Sequence, residues 1–138
     1  MPIDAIHSVA VLGLGTMGHG IAQTFAAAGY AVNCYDEESA ARASLHERVH
    51  TNLLAFVEAG LIPQTHVEGI LSRLVICNNE AETVADASFV TEAVKEDLAV
   101  KQELLERLES LVTRDTILAS NSSTFPISRS SWDVSGAR

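Results

Sequence analysis

The chain has 138 residues, a length that suits one domain with a real core. Its formal net charge of −9 argues against nucleic acid or an anionic membrane surface as a partner. Only two cysteines are present, Cys34 and Cys77, each closing an apolar run, so two reduced, buried thiols are expected and no disulfide framework.

In chain order, residues 1–7 form a short leader. Val9, Val11 and Leu12 make a strand-type run, and Gly13, Gly15 and Gly18 follow it. Ile21, Ala22, Phe25 and Ala26 then recur at helical spacing up to Gly29, a helix stop. A second apolar run over residues 30–35 closes on Asp36. Residues 38–60 read as a long helix, with Leu45, Val49, Leu53, Leu54 and Val57 at threes and fours and Gly60 as its C-cap. Pro63 suits the first turn of a shorter helix carrying Val67, Ile70 and Leu71. Residues 74–77 are a strand, a polar connection runs through Asn78, Asn79 and Glu80, and residues 88–94 are the next strand. Residues 97–112 form an amphipathic helix whose stripe of Leu98, Leu104, Leu105, Leu108, Leu111 and Val112 faces the core. Residues 116–119 are another strand and 120–124 a polar loop; from Ser128 onward periodicity is lost in a polar tail around Trp132. The acidic surplus falls on solvated helix faces, at Glu37, Glu38, Glu47, Glu103, Glu106 and Glu109.

Strands alternating with helices predict a parallel sheet covered on both faces through right-handed crossovers. Ligands of such sheets bind at the carboxyl ends of the strands, so the loops after the first, fourth and fifth strands point to one edge. The first of these loops carries the chemistry. Gly13 permits a tight turn out of the strand, Gly15 lets backbone approach a pyrophosphate, and Gly18 lets the helix pack on the strand. The helix N-terminus then offers N–H groups and a positive dipole end to phosphate. Asp36, 18 residues beyond Gly18, stands where an acceptor for ribose hydroxyls is needed. A carboxylate there repels a 2′-phosphate, so NAD is expected rather than NADP.

Other patterns receive plainer readings. Residues 8–35 carry no Asp, Glu, Lys or Arg, but five glycines with His19, Gln23 and Asn33 interrupt them and no basic flank precedes them. A membrane segment or signal peptide is therefore not expected, and a cytoplasmic location is. His46, Glu47 and His50 fit the H-E-x-x-H pattern of zinc peptidases, yet no third ligand follows at a recognised spacing, so no metal is expected. His7, His19 and His66 have no acid or nucleophile partner in the local sequence. Asn121, Ser122 and Ser123 spell a glycosylation pattern that a chain without an export signal does not use.

Three segments together carry a resemblance: GLGTMGHGIAQTFAAAGYAV from Gly13, TEAVKEDLAVKQELL from Thr91 and ASNSSTFPIS from Ala119. Over roughly residues 9–128 the chain resembles the amino-terminal NAD-binding domain of the 3-hydroxyacyl-CoA dehydrogenases, including 3-hydroxybutyryl-CoA dehydrogenases. The resemblance implies an α/β fold of Rossmann type, a doubly wound, mainly parallel sheet with helices on both faces, over residues 1–127, with 128–138 as a tail. It implies that Gly13, Leu14, Gly15, Thr16, Met17 and Gly18 hold the pyrophosphate and Asp36 the adenosine ribose. It places Glu96 and Lys101 near the nicotinamide and gives Ser123 the contact to the reacting oxygen of the substrate. The implied reaction is hydride transfer between NAD and C3 of a 3-hydroxyacyl-CoA, and the implied full-length form is a homodimer.

The family's general base is a histidine shortly after the serine loop, oriented by a later glutamate, and a helical domain completes the substrate cleft. None of these lies within residues 1–138, so this piece is expected to bind NAD(H) and to turn over poorly or not at all. The family contacts coenzyme A through basic residues of the long helical region, where only Arg42 and Arg48 stand between residues 38 and 63. Rival expectations are a dehydrogenase of another hydroxy acid (3-hydroxyisobutyrate, gulonate or carnitine type) and a non-catalytic nucleotide-binding module.

Overall fold

The structure, a computed structural model, describes residues 6–95 and 97–120. Glu96, Ser123, the Asn121–Ser123 pattern, the expected boundary at residue 127 and the tail lie outside the described residues. Among the described residues five strands and five α-helices follow in the order β1 (Ser8–Leu12), α1 (Thr16–Ala27), β2 (Ala31–Tyr35), α2 (Ser39–Glu58), α3 (Val67–Ser72), β3 (Leu74–Ile76), α4 (Glu80–Val84), β4 (Phe89–Glu92), α5 (Leu98–Leu111) and β5 (Ile117–Ser120). A 3₁₀ turn, Gln64–His66, leads into α3 after Pro63. The strands pair in parallel in the order β3-β2-β1-β4-β5. The chain direction across the sheet reverses between β1 and β4, the point where doubly wound sheets take their ligands.

The alternation of side chains along β1 divides the core. Val9 and Val11 point to one face, where they meet Ala22 and Ala26 of α1, Leu45, Val49 and Leu53 of α2, and Ile70 of α3. Ala10 and Leu12 point to the other, against Val84 of α4 and Leu104 and Leu108 of α5. Both faces of β1 are thus dry, which is why its sequence is continuously apolar rather than alternating.

Two expectations need correction. The polar connection after β3 contains a helix, α4: the Asn79 side chain caps it by accepting from the Glu82 N–H at 2.7 Å. At five residues it is too short to show a 3.6-residue period. The stripe of α5 also differs, because Leu111 is exposed whereas Lys101 is buried among Leu104, Leu105 and Leu108.

Candidate functional site

The three glycines do three separate things. Gly13 leaves β1 with φ +95°, a conformation that disfavours side chains, and a Cβ there would lie 2.6 Å from the Ala93 carbonyl oxygen. Its N–H donates to the Tyr35 carbonyl at 2.9 Å, tying the turn to the end of β2. A Cβ on Gly18 would fall 1.7 Å from the Gly13 carbonyl oxygen, so α1 packs on the turn only because nothing is there. Gly15 is different, because a Cβ on it would meet nothing within 4 Å. The fold itself therefore demands Gly13 and Gly18 and has no use for the bareness of Gly15. Gly15 is also the N-cap of α1, it supplies no side-chain cap, and the first turn holds no acid. An uncapped helix N-terminus opening on Cβ-free backbone fits an anion such as a pyrophosphate.

Asp36 stands beside this turn. Its Oδ2 accepts from the Leu14 N–H at 2.7 Å and its Oδ1 from the Glu38 N–H at 2.9 Å, so both oxygens are oriented by backbone and retain lone pairs for hydroxyl donors. Glu37 and Glu38 follow directly, and three consecutive acids disfavour a 2′-phosphate. Arg42 of α2 does not offset them towards a ligand: its Nη1 donates to the Asp36 carbonyl at 2.6 Å and its guanidinium lies 5.5 Å from the Tyr35 ring centroid. Between Asp36 and α5 opens a cavity of about 330 Å³, walled by Gly13 and Gly15 on one side and by Val94, Val100 and Leu104 on the other. Glu80 and Arg107 stand at it too, joined as Nε to Oε1 at 2.8 Å and Nη2 to Oε2 at 2.9 Å. Hydrogen bonding to Glu80 raises the guanidinium's pKa further. The residues present thus fit a dinucleotide: bare backbone for the phosphates, a carboxylate for the ribose, and a space with both aliphatic and charged walls for a base.

A second polar group closes the edge at β4. Glu92, the last residue of β4, is 1% exposed, and the Lys101 ammonium, 0% exposed, donates to both its oxygens at 2.9 Å. The Val94 N–H donates to Oε2 at 3.1 Å, and the Ser120 hydroxyl donates to Oε1. The carboxylate is thereby fully satisfied without water. Lys101 therefore has its ammonium on Glu92. Sequence reasoning overlooked Glu92. The signal was available: Lys101 occupies an apolar position of the α5 stripe, and a buried charge requires a partner of opposite sign.

The remaining candidates resolve simply. His46 uses its Nε2 on the Leu74 carbonyl at 2.9 Å, fastening α2 to β3, while His50 is exposed. No group of three or more His, Cys, Asp or Glu able to hold a metal occurs among the described residues. Cys34 and Cys77 are both free and buried. Burial first, and Cys77 second, push the Cys34 thiol up to about 12. His19 has its Nδ1 2.8 Å from the Gly15 carbonyl and its Nε2 3.2 Å from Asn52, so it braces the turn.

A family model described as "3-hydroxyacyl-CoA dehydrogenase, NAD binding domain" matches residues 8–136. The chain is 37% identical over 125 residues to a 3-hydroxybutyryl-CoA dehydrogenase of Mycobacterium tuberculosis, covering 90% of this chain and 43% of that protein. It is 32% identical over 124 residues to an L-carnitine dehydrogenase of Streptomyces griseus, covering 90% of this chain and 36% of that protein. Among solved structures, 3-hydroxybutyryl-CoA dehydrogenase from Escherichia coli K12 superposes with a TM-score of 0.87 at 32% identity, covering 94% of this chain and 27% of that one. The chain spans less than half the length of each of these relatives.

Proposed function

Given that this chain belongs to the NAD-binding domain family of the 3-hydroxyacyl-CoA dehydrogenases, we propose that it is the cofactor-holding part of an oxidoreductase that exchanges a hydride between NAD and C3 of a 3-hydroxyacyl-CoA. The observation that carries this reading is the open space at Gly15 beside the oriented carboxylate of Asp36. The backbone of residues 13–18 would hold the pyrophosphate and Asp36 the adenosine ribose; Glu96 would serve the nicotinamide side, with Lys101 acting there through its ion pair to Glu92, and Ser123 the substrate oxygen. When bound, the nicotinamide supplies the hydride acceptor, while the protein supplies orientation and a base.

None of the five histidines follows Ser123, where the family's general base is expected. Binding and turnover should therefore separate. NADH should bind to these 138 residues, whereas oxidation of 3-hydroxybutyryl-CoA should be slow, since a general base typically contributes about 10²–10⁴-fold. Fluorescence titration with NADH and NADPH tests the first half: NADH saturating well before NADPH supports the reading, and equal affinity overturns the assignment of Asp36. Within the same reading the working protein is a homodimer in the cytoplasm. No helix among the described residues is long and apolar enough to cross a membrane.

A second reading, a dehydrogenase of another hydroxy acid such as carnitine, draws on one observation. The two arginines of α2 are engaged internally, Arg42 with the Asp36 carbonyl and Arg48 with Ser44 and the Ala41 carbonyl of its own helix. Both guanidiniums are thus occupied by protein acceptors, which lowers their availability to coenzyme A phosphates. Comparing 3-hydroxybutyryl-CoA with carnitine as substrates of the enzyme carrying this domain separates the two.

A further inference from the structure

We propose that Arg107, clamped by Glu80, is an adenine-recognition residue: its planar guanidinium forms the wall of the cavity against which the purine of the cofactor stacks. This rests on reading the site as an NAD pocket. A ribose held at Asp36 would have the space between the Asp36–Glu38 segment and α5 next to it for its base, and Arg107 stands at that space one turn beyond Leu104. Glu37, next to Asp36, lines the same cavity as Arg107.

The clamp is a two-point one, through Nε at 2.8 Å and Nη2 at 2.9 Å, and it spans 27 residues from the start of α4 to α5. Two parallel bonds fix the plane of the guanidinium as well as its position. Yet the Arg107 side chain is 50% exposed and that of Glu80 25%, and an ion pair so placed contributes little to stability. Its geometry is therefore spent on something outside the fold. On the α5 side the wall is continued by the aliphatic Val100 and Leu104, with Val100 37% exposed, while Asp36, Glu37, Glu38 and Lys95 add charged groups elsewhere on the lining. Aliphatic edges and one flat, weakly hydrated cation make a surface suited to a purine ring. Pairing with Arg107 also neutralises Glu80, a carboxylate that would otherwise stand bare at a pocket for a diphosphate.

The test is calorimetric titration of the 138-residue protein with NADH and ADP-ribose, with thermal unfolding of every variant recorded alongside. R107A should bind both ligands roughly tenfold more weakly, the size expected for losing one cation–π contact, with an unchanged unfolding temperature. R107Y, which keeps a flat surface, should recover most of the affinity, and R107K, which keeps only the charge, should not. E80A should weaken binding by a smaller factor by freeing the guanidinium. Wild-type ADP-ribose affinity in R107A, or full recovery in R107K, would overturn the stacking role while leaving the NAD reading intact. Failure of the unaltered protein to bind either ligand would overturn both.

Discussion

Two polar arrangements stand at the carboxyl edge of the sheet, and they are built on opposite principles. Around residues 13–36 the donors are backbone N–H groups, the cradle is open, and Gly15 has empty space where a side chain would be. At the end of β4 the groups are charged side chains, the arrangement is shut, and Glu92 is satisfied from within by Lys101, Val94 and Ser120. The first leaves open space beside bare backbone; the second sets the Glu92 carboxylate against the Lys101 ammonium. The open turn has room for a ligand, whereas the buried ion pair ties the end of β4 to α5. The two should accordingly respond in opposite ways to substitution, the closed one losing stability and the open one losing affinity.

The largest effect should come from the closed side. E92A leaves the Lys101 ammonium buried without its carboxylate, which should cost about 3–5 kcal/mol in urea denaturation. The double change E92L/K101M should recover most of that loss, and a single variant as stable as wild type would refute the description of the pair as buried. Next is G18A, whose Cβ must displace the Gly13 carbonyl; a loss of about 3 kcal/mol is expected, at the upper end for overpacking. Smaller is D36A, which deprives the buried Leu14 N–H of its acceptor and should cost about 1–2 kcal/mol while weakening NADH at least about tenfold. An unaltered NADH affinity in D36A would remove the acid from the binding site.

A last effect, seen only at high pH, concerns β2 itself, where Cys34 lies two residues before Asp36. Its thiol is raised from 9.0 to about 12 in the folded protein by burial and by Cys77. Unfolding lets it ionise near 9, so the stability it supplies is whole below pH 9 and drains away between 9 and about 12. Denaturation at pH 8 and pH 10.5 should show a shallower decline for C34V than for wild type, and equal declines would contradict the shift.

The same contrast explains what could be read from the amino acids alone. The open side was legible because strand, glycine turn, helix, strand and Asp36 form one unbroken stretch whose periods and spacing are local. The long helices were legible too: residues 97–112 were expected and α5 runs Leu98–Leu111, with the Asp97 side chain capping it through the Val100 N–H. The closed side was half legible: Lys101 in the apolar stripe of α5 calls for a buried acid, but that the acid is Glu92, nine residues away, and that Ser120, 28 residues away, joins it follows only from how β4, α5 and β5 pack. Arg107 and Glu80 were hidden for the same reason, and α4 because one capped turn has no period. Local pattern thus gave the half of the site that touches solvent, and tertiary pairing made the half that does not.

The central claim is that the bareness of Gly15 exists for a ligand and not for the fold. G15A tests it in one paired measurement of unfolding free energy and NADH dissociation constant. Stability within about 0.5 kcal/mol of wild type, as for an unobstructed surface position, together with at least a roughly tenfold weaker NADH affinity is the expected result. NADH binding as tight as wild type in a stably folded G15A protein would contradict it.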